Sequence, residues 1–180
     1  MPIGYHLMHS HDLAPYRWMI VSLPPFQSLV DAHWRDVARL AHALAGPTHG
    51  DDVAQTAWTK ALAAYPFVRS ATNLRGWLLT ITHNCAMDAH RSARQTVAVE
   101  DPATLLAAPV AAPPIDPRPE LWSAVAGLPG RQRAAVALKY VSDLDHREIA
   151  RVLDTTPAMS RRLVSDALAT LRLTLPEESR

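Results

Sequence analysis

The sequence has little of several features that would point to a particular class of protein. A single cysteine, Cys85, excludes an internal disulfide, and without a second thiol it also excludes a zinc site built mainly on cysteines. The formal net charge of +1 excludes a strong overall basic field, so a nucleic-acid surface would have to be a local patch. The apolar run from Trp18 to Leu23 is too short to span a bilayer and stops at Pro24. We therefore expect a cytoplasmic protein without a secretory signal or membrane anchor.

Histidine, a common metal ligand, occurs nine times in the sequence. His6, His9 and His11 lie close together, but they belong to residues 1–25, which we predict to form a mobile N-terminal extension without the scaffold that a metal site needs. No predicted helix carries two ligands and a carboxylate at the spacing of hydrolytic zinc sites. A metal-dependent enzyme is therefore not favoured, and we expect no catalytic residue, metal or cofactor.

Two further histidines, His83 and His90, flank Cys85 in the sequence. On a helix, Cys85 would belong to the apolar face while His83 points elsewhere. We interpret the three as a buried thiol between two surface histidines.

Apolar residues recur at steps of three and four over three segments, which predicts three amphipathic helices. Gly46 and Pro47 end the first helix, Asp51 and Asp52 begin the second at the positive end of its dipole, and Pro66 ends the second. The predicted buried positions are Phe26, Leu29, Val30, Trp34, Val37, Leu40, Ala41 and Leu44 in the first helix, Ala54, Trp58, Ala61, Leu62 and Tyr65 in the second, and Leu74, Trp77, Leu78, Ile81 and Cys85 in the third.

The pattern ends after Arg94 in a stretch rich in alanine and proline, and a new helical block begins at Leu121. No alternation of apolar and polar residues long enough for a strand occurs in the sequence. The predicted fold is all-α, with two small helical domains at residues 26–95 and 119–176 joined by an extended linker at residues 96–118.

The segment EIARVLDTTPAMSRRLVSDAL, residues 148–168, predicts a helix-turn-helix. Thr156 is the predicted N-cap of the second helix, and Pro157 suits its first position. Ile149, Val152 and Leu153 are expected to pack against Met159, Leu163, Ala167 and Leu171, which would leave Ser160, Arg161, Arg162, Ser165 and Asp166 outside. Short helix pairs of this kind also occur in proteins that never bind nucleic acid, so this stretch alone leaves DNA binding open.

The runs DDVAQTAWTKAL (51–62) and NLRGWLLTITHNCAMDAHR (73–91) resemble the σ2 domain of bacterial extracytoplasmic-function sigma factors. The run LPGRQRAAVALKYVSDLDHREIARVLDTTPAMSRRLVSDALATLR (128–172) resembles their σ4 domain. The resemblance covers most of residues 26–172 in the family's order. It implies a transcription initiation factor that binds the β and β′ subunits of core RNA polymerase and directs it to the −10 and −35 elements of promoter DNA. An anti-sigma factor is left open as a further partner.

The resemblance also implies three sets of functional residues. By this resemblance, the residues that dock on the polymerase clamp are Asp51, Asp52 and Gln55. The alternative interpretation is that they only cap and solvate the start of a helix. Opening and reading of the −10 element would use Asn73, Arg75, Thr80, His83, Asn84, Asp88, Arg91 and Arg94. Major-groove contacts at the −35 element would use Thr156, Ser160, Arg161, Arg162 and Ser165.

Asp166 departs from the usual composition of the recognition helix, where a neutral or basic residue is common. It could accept a hydrogen bond from cytosine, pair with Arg162 one turn earlier, or lie outside the groove, and we favour the pair. Trp77 is interpreted as a core residue instead of a stacking platform. The main alternative function is a sigma-like interaction module that docks on polymerase or an anti-sigma factor without opening promoters. A dimeric repressor would leave the first domain unexplained.

Overall fold

The computed structural model describes the backbone of residues 23–97 and 119–175 and the side chains of residues 23–93 and 120–175. Across these ranges the chain forms helices and no β-strand, which confirms the predicted all-α fold. The predicted N-terminal extension lies almost wholly outside the described residues, as does the predicted linker. The helices are α1 (Phe26–Ala64), α2 (Leu74–Val97), α3 (Pro119–Ala126), α4 (Gly130–Val136), α5 (His146–Val152) and α6 (Pro157–Thr174), with a 3-10 turn at Tyr65–Phe67 and a π-helical turn at Ala137–Val141.

Helix α1 is broken at Gly46, where φ is 75° and ψ is 178°. Glycine adopts this backbone conformation readily because it has no Cβ. The predicted interruption at Gly46 and Pro47 is confirmed. The prediction that the next helix begins at Asp51 is wrong, because helical geometry resumes at Pro47, whose fixed φ suits a first helical turn. Asp51 therefore lies in the second turn of this half and does not cap it.

Two large apolar residues of α1 that were predicted to be buried are exposed. Leu62 is 56% exposed, and the buried stripe of the second half runs instead through Val53, Ala57 and Ala61. Trp34 is 51% exposed, and the guanidinium of Arg35 lies 5.3 Å from its ring centroid.

Four aromatic rings hold the start of α1 to its end and to α2. The ring of Phe26 meets Trp58 and Tyr65 edge to face, with centroids 6.1 and 5.2 Å apart, and Tyr65 lies 6.2 Å from Trp77. The Tyr65 hydroxyl also donates to the carbonyl oxygen of Pro24 at 2.6 Å. Trp77 is partly buried against this cluster, which confirms its interpretation as a core residue.

Helices α3 to α6 form a second helical group. At the start of α5, the Asp145 carboxylate accepts from the backbone N–H groups of Arg147 and Glu148, while the Glu148 carboxylate accepts from the Asp145 N–H. This reciprocal capping box satisfies the N–H group of the N-cap residue and two N–H groups of the first helical turn, which have no partner within the helix. At α6, the Thr156 hydroxyl accepts from the Met159 N–H at 3.2 Å, so the predicted N-cap is confirmed.

The first lobe (residues 23–97) and the second lobe (residues 119–175) pack against each other. The π-helical turn lies against α1, and α5 lies against α2. One continuous hydrophobic cluster includes Leu40 and Leu78 of the first lobe together with Leu138, Leu144 and Ile149 of the second. A separate cluster belongs to the second lobe alone, with buried members Val125, Leu128, Val136, Ala167, Leu171 and Leu175.

Candidate nucleic-acid interface

The residues predicted to dock on polymerase form an exposed patch on the second half of α1. Asp51, Asp52 and Gln55 are all exposed. The Asp51 carboxylate lies 2.9 Å from His42 Nε2, which ties the two halves of α1 together across the break at Gly46. Gly50 makes room for this contact, since a Cβ there would lie 2.4 Å from the His42 ring. The patch is thus held in a defined orientation and is open to a partner.

Two of the residues predicted to contact the −10 element form local hydrogen bonds at the start of α2. The Asn73 side-chain oxygen accepts from the Gly76 N–H at 2.8 Å, and the Thr80 hydroxyl donates to the Gly76 carbonyl at 2.8 Å. An open cleft of about 340 Å³ adjoins Asn73 and is lined by residues of the α1 start, of the segment before α2 and of the first turn of α2. Its lining residues include Ser28, His33, Thr72, Asn73 and Arg75. The cleft therefore brings polar groups and a cation together beside an apolar wall.

Arg75 is engaged on both sides of its guanidinium. Its Nε donates to the Asp36 carboxylate at 2.8 Å, and its Nη2 donates to the backbone carbonyl of Ser142 in the second lobe. Burial alone would raise the pKa of Asp36, but the hydrogen bond and charge of Arg75, assisted by His33, outweigh it and the net pKa is lowered. Arg75 is thus part of the contact between lobes, 67 positions from its partner.

The interpretation of His83 as a surface histidine is wrong. Its side chain is only 9% exposed, and burial together with the nearby charge of Arg131 lowers its pKa. The burial of His83 could not be predicted from the sequence, because α2 packs on α1 with one face and on the second lobe with another. Only the face toward α1 carries apolar residues at helical spacing. Cys85, at 3% exposure, is buried as predicted, and burial raises the pKa of its thiol.

His90 is half-buried and also contacts the second lobe. Its Nε2 lies 2.8 Å from the Leu44 carbonyl oxygen and 2.9 Å from Arg133 Nη2. It is therefore not a freely exposed surface histidine either.

The remaining predicted −10 residues are exposed near the end of α2. Asn84 is exposed, and the Asp88 carboxylate accepts from Lys60 at 3.3 Å and from Arg91 at 3.1 Å. Lys60 was not predicted as a functional residue, yet it adds a second cation beside Asp88. Arg94 lies in α2, but its side chain is outside the described residues.

The outer face of α6 carries most of the predicted −35 residues. Thr156, Arg161, Arg162 and Ser165 are exposed. The Arg162 Nε lies 3.6 Å from the Asp166 carboxylate, which confirms the predicted pair one turn apart. The Asp166 carboxylate therefore has an ion-pair partner on its own helix, and its presence does not require a hydrogen bond from cytosine.

Two positions of α6 face the opposite way from the prediction. Ser160 is fully buried and its hydroxyl lies 3.0 Å from His146 Nδ1, so it does not present a hydroxyl to a groove. Met159 is 41% exposed instead of packing against α5, and Val164 takes an inward position. The sequence predicted the wrong buried face at the start of α6, because a serine is polar and its hydrogen-bond partner, His146, lies on another helix.

No group of three or more His, Cys, Asp or Glu side chains in the described ranges is arranged to hold a metal ion. His6, His9 and His11 are outside those ranges. Of the helices that the structure describes, none has the length and apolarity needed to cross a membrane.

Comparison with known proteins gives matches in both lobes. The family model for sigma-70 region 2 matches residues 29–96, and the model for sigma-70 region 4 matches residues 118–171. The fold is similar to that of the sigma factor RpoE from Bartonella quintana, solved in complex with the anti-sigma factor NepR, with a TM-score of 0.68 and 19% identity over 84% of this chain and 97% of that one. It is also similar to CnrH in complex with the cytosolic domain of CnrY, with a TM-score of 0.61 and 22% identity over 82% of this chain and 85% of that one. No curated protein sequence matches this chain.

Proposed function

We propose that this chain, which belongs to the sigma-70 family, is an extracytoplasmic-function sigma factor that docks on core RNA polymerase with one surface and reads promoter DNA with two others. It is a promoter-recognition transcription initiation factor, and it has no catalysis of its own because the polymerase synthesises the RNA. The observation that supports this division of labour is the presence of sigma-70 regions 2 and 4 in order, each with exposed polar residues on its surface.

Docking on the β′ clamp would use the patch of Asp51, Asp52 and Gln55. Its two carboxylates are exposed and held by a helix that His42 braces, so they present a fixed negative surface. A basic coiled coil is the complementary partner. Pairs of this kind contribute more to association rate and orientation than to final affinity, and they weaken as salt rises.

Reading of the −10 element would use the α2 surface of residues 26–95. The cleft of about 340 Å³ beside Asn73 and Arg75 has the polar and cationic lining that an extruded base and its phosphate need. Asn84 and Arg91 extend this surface along α2.

Reading of the −35 element would use α6, within residues 119–176. Arg161 and Arg162 are placed on the exposed face behind a well-capped N-terminus, and helices of this type enter the major groove with that end. With both lobes bound to one polymerase, two modest DNA contacts would act together through their effective concentration.

An anti-sigma factor is a second proposed partner. Both solved structures to which the fold is similar contain a sigma factor with a bound partner, NepR in one and the cytosolic domain of CnrY in the other. The competing function is an interaction module that binds polymerase or an anti-sigma factor without opening promoters, and the engagement of Arg75 and His83 between the lobes favours it.

Replacement of the docking carboxylates tests the proposal. We expect the double variant Asp51→Asn/Asp52→Asn to bind purified core polymerase at least tenfold more weakly at low salt, with a smaller difference at high salt. The matched control is Asp31→Asn, which removes an exposed carboxylate from the first half of α1. Equal losses in the two variants, or no loss in either, would remove the patch from the proposed interface.

A further inference from the structure

We propose that the buried hydrogen bond between Ser160 and His146 positions the end of α6 that reads the −35 element. Ser160 is fully buried, so it acts on promoter DNA only through its neighbours Arg161 and Arg162. Both members of the bond are thus positioning residues and do not contact the bases. This inference rests on the proposed function for the role of α6.

The row of buried residues on α6 begins with a polar side chain. This row consists of Ser160, Val164, Ala167 and Leu171, at steps of three and four. Ser160 is the member nearest the N-terminus, which Thr156 caps. A helix of this type enters the major groove with that end. The buried contact closest to the proposed DNA surface is therefore made by a hydroxyl, while the buried contacts farther along α6 are mostly apolar.

The hydroxyl of Ser160 lies 3.0 Å from Nδ1 of His146, the first residue of α5. A hydrogen bond has a preferred distance and angle, whereas the burial of apolar surface is non-directional. Because Ser160 is fully buried, water does not compete for the bond. The bond therefore restricts the rotation of α6 about its own axis more narrowly than an apolar contact at the same position.

The backbone from which the His146 ring extends is itself held in place. The capping box between Asp145 and Glu148 fixes the start of α5. Just before it, Leu144 is 1% exposed, and its N–H donates to the Leu138 carbonyl at 3.0 Å. The bond from Ser160 therefore ties α6 to a well-fixed part of the second lobe.

Arg161 and Arg162 follow Ser160 directly and are both exposed. Successive residues of an α-helix point about 100° apart, so the inward direction of Ser160 determines the outward directions of the two arginines. Binding side chains have to be held within about 10–20° of their productive orientation. A bidentate contact with a base edge needs such alignment, whereas a phosphate contact depends mainly on charge. Loss of the bond should therefore weaken discrimination between base sequences more than binding to DNA in general.

Selection of DNA by the holoenzyme tests the effect on promoter reading. Core polymerase with the full chain would bind a pool of DNA duplexes of random sequence, and the bound and unbound fractions would be sequenced. We expect the wild type to enrich two elements and Ser160→Ala to lower the enrichment of the upstream element by at least about fivefold. The total amount of bound DNA and its salt dependence should change by less than about twofold.

Variants of His146 show whether the two residues act through one bond. His146→Leu removes both ring nitrogens and should lower the enrichment of the upstream element as much as Ser160→Ala. His146→Asn places an amide near the position of Nδ1 and should retain most of the enrichment. The double variant Ser160→Ala/His146→Leu should lose no more than either single variant, since each change removes the same interaction.

Thr82→Val is the matched control. Thr82 is also 0% exposed, and its hydroxyl donates to the Leu78 carbonyl within α2 at 2.9 Å. The variant removes an equally buried hydroxyl from the first lobe, so it reports the general cost of such a loss. We expect the upstream enrichment to stay unchanged in this variant. Urea denaturation would verify that every variant is folded at the assay temperature.

The orientation of α6 in the free chain can be measured independently of DNA. Residual dipolar couplings of backbone N–H groups give the angle between α5 and α6 in the wild type and in each variant. We expect this orientation to change by about 10–20°, or to become heterogeneous, in Ser160→Ala. It should remain that of the wild type in His146→Asn and Thr82→Val.

Each outcome decides a part of the proposal. An unchanged orientation of α6 in Ser160→Ala overturns the positioning role. A changed orientation with full enrichment of the upstream element, or an equal loss of enrichment in Thr82→Val, overturns its bearing on promoter reading. A wild-type holoenzyme that enriches no element would reject the proposed function, while the dipolar couplings would still decide whether the bond positions α6.

Discussion

The −10 surface and the −35 helix use similar side chains but differ in what surrounds them. The side chain of Arg162 on α6 is 75% exposed, whereas that of Arg75 on α2 is 33% exposed and bonded to both lobes. Helix α6 packs only against helices of its own lobe among the main contacts, while α2 packs against α1 and against α5 of the second lobe. The difference shows that the availability of a functional residue in this chain depends on the arrangement of the lobes as well as on its own helix.

The largest effect on stability is expected from leucine-to-alanine variants in the two hydrophobic clusters, the one that both lobes share and the one that belongs to the second lobe alone. Leu138→Ala and Leu171→Ala each remove a buried leucine and should each lower the free energy of unfolding by about 2–5 kcal/mol. Because Leu138 packs with residues of both lobes, its variant should increase amide hydrogen exchange in α1 as well as in the second lobe. The Leu171 variant should increase exchange in the second lobe alone. Unchanged exchange in α1 of the Leu138 variant would mean that the lobes are not coupled.

A smaller effect is expected from the cap that orients the −35 helix. Thr156→Ala removes the acceptor for the Met159 N–H, and the loss of an N-cap costs about 1 kcal/mol. We expect this loss in chemical denaturation, accompanied by weaker −35 binding in the holoenzyme because the first turn of α6 frays. Thr170→Ala removes a threonine from the same helix whose hydroxyl bonds only the Asp166 carbonyl, and it should be close to neutral. A neutral Thr156 variant would show that the cap does not hold the helix.

The pH dependence of the free energy of unfolding should report the titration of His83, which is buried on α2, whereas the exposed residues of α6 should contribute little to it. Burial and Arg131 lower the pKa of His83, so the folded chain disfavours the protonated ring, whose pKa in the unfolded chain is about 6.5. Stability should be complete above that value and should fall as the pH drops from about 6.5 toward the lowered folded value. The lowered pKa values of Asp36 and Asp145 act in a separate window, below their ordinary value of 3.8.

Urea denaturation between about pH 5 and pH 7.5 would measure this loss of stability. His83→Gln should flatten the curve over that range. An unchanged pH dependence in the variant would mean that His83 is not the group that titrates.

The smallest expected effect concerns the acid on the exposed helix. Asp166→Asn breaks its pair with Arg162, which as an exposed pair one helical turn apart contributes about 0.3–0.5 kcal/mol at most. Stability should change little, while promoter binding by the holoenzyme should strengthen and its log–log salt slope should steepen by up to about 0.9. Asp143→Asn makes the same change at an exposed turn away from α6 and should leave the slope unaltered. A steeper slope in both variants would point to general charge instead of the freed arginine.

Much of each helix could be predicted from the sequence, because local spacing and local capping determine it. Gly46 and Pro47 interrupt α1, Thr156 caps α6, and Asp166 pairs with Arg162, all within a few residues along the chain. The recognition of the family followed from two such sets of local patterns in order.

The contact between the lobes could not be predicted in this way. Arg131, Arg133 and Ser142 matter because the fold brings them to α2, and no spacing in the sequence encodes that approach. The same approach buries His83, which local periodicity placed on the surface. The hydroxyl of Ser160 is satisfied by His146 of the preceding helix, so its polarity misled the prediction of the α6 phase.

Transcription in vitro tests the central claim most directly. Core RNA polymerase, the purified chain and fragmented DNA of the source genome would be combined, and the 5′ ends of the transcripts would be mapped. We predict discrete start sites that share two upstream elements, one opened by the α2 surface and one bound by α6. Stable binding to core polymerase without any discrete start site would contradict the claim and support the interaction module instead.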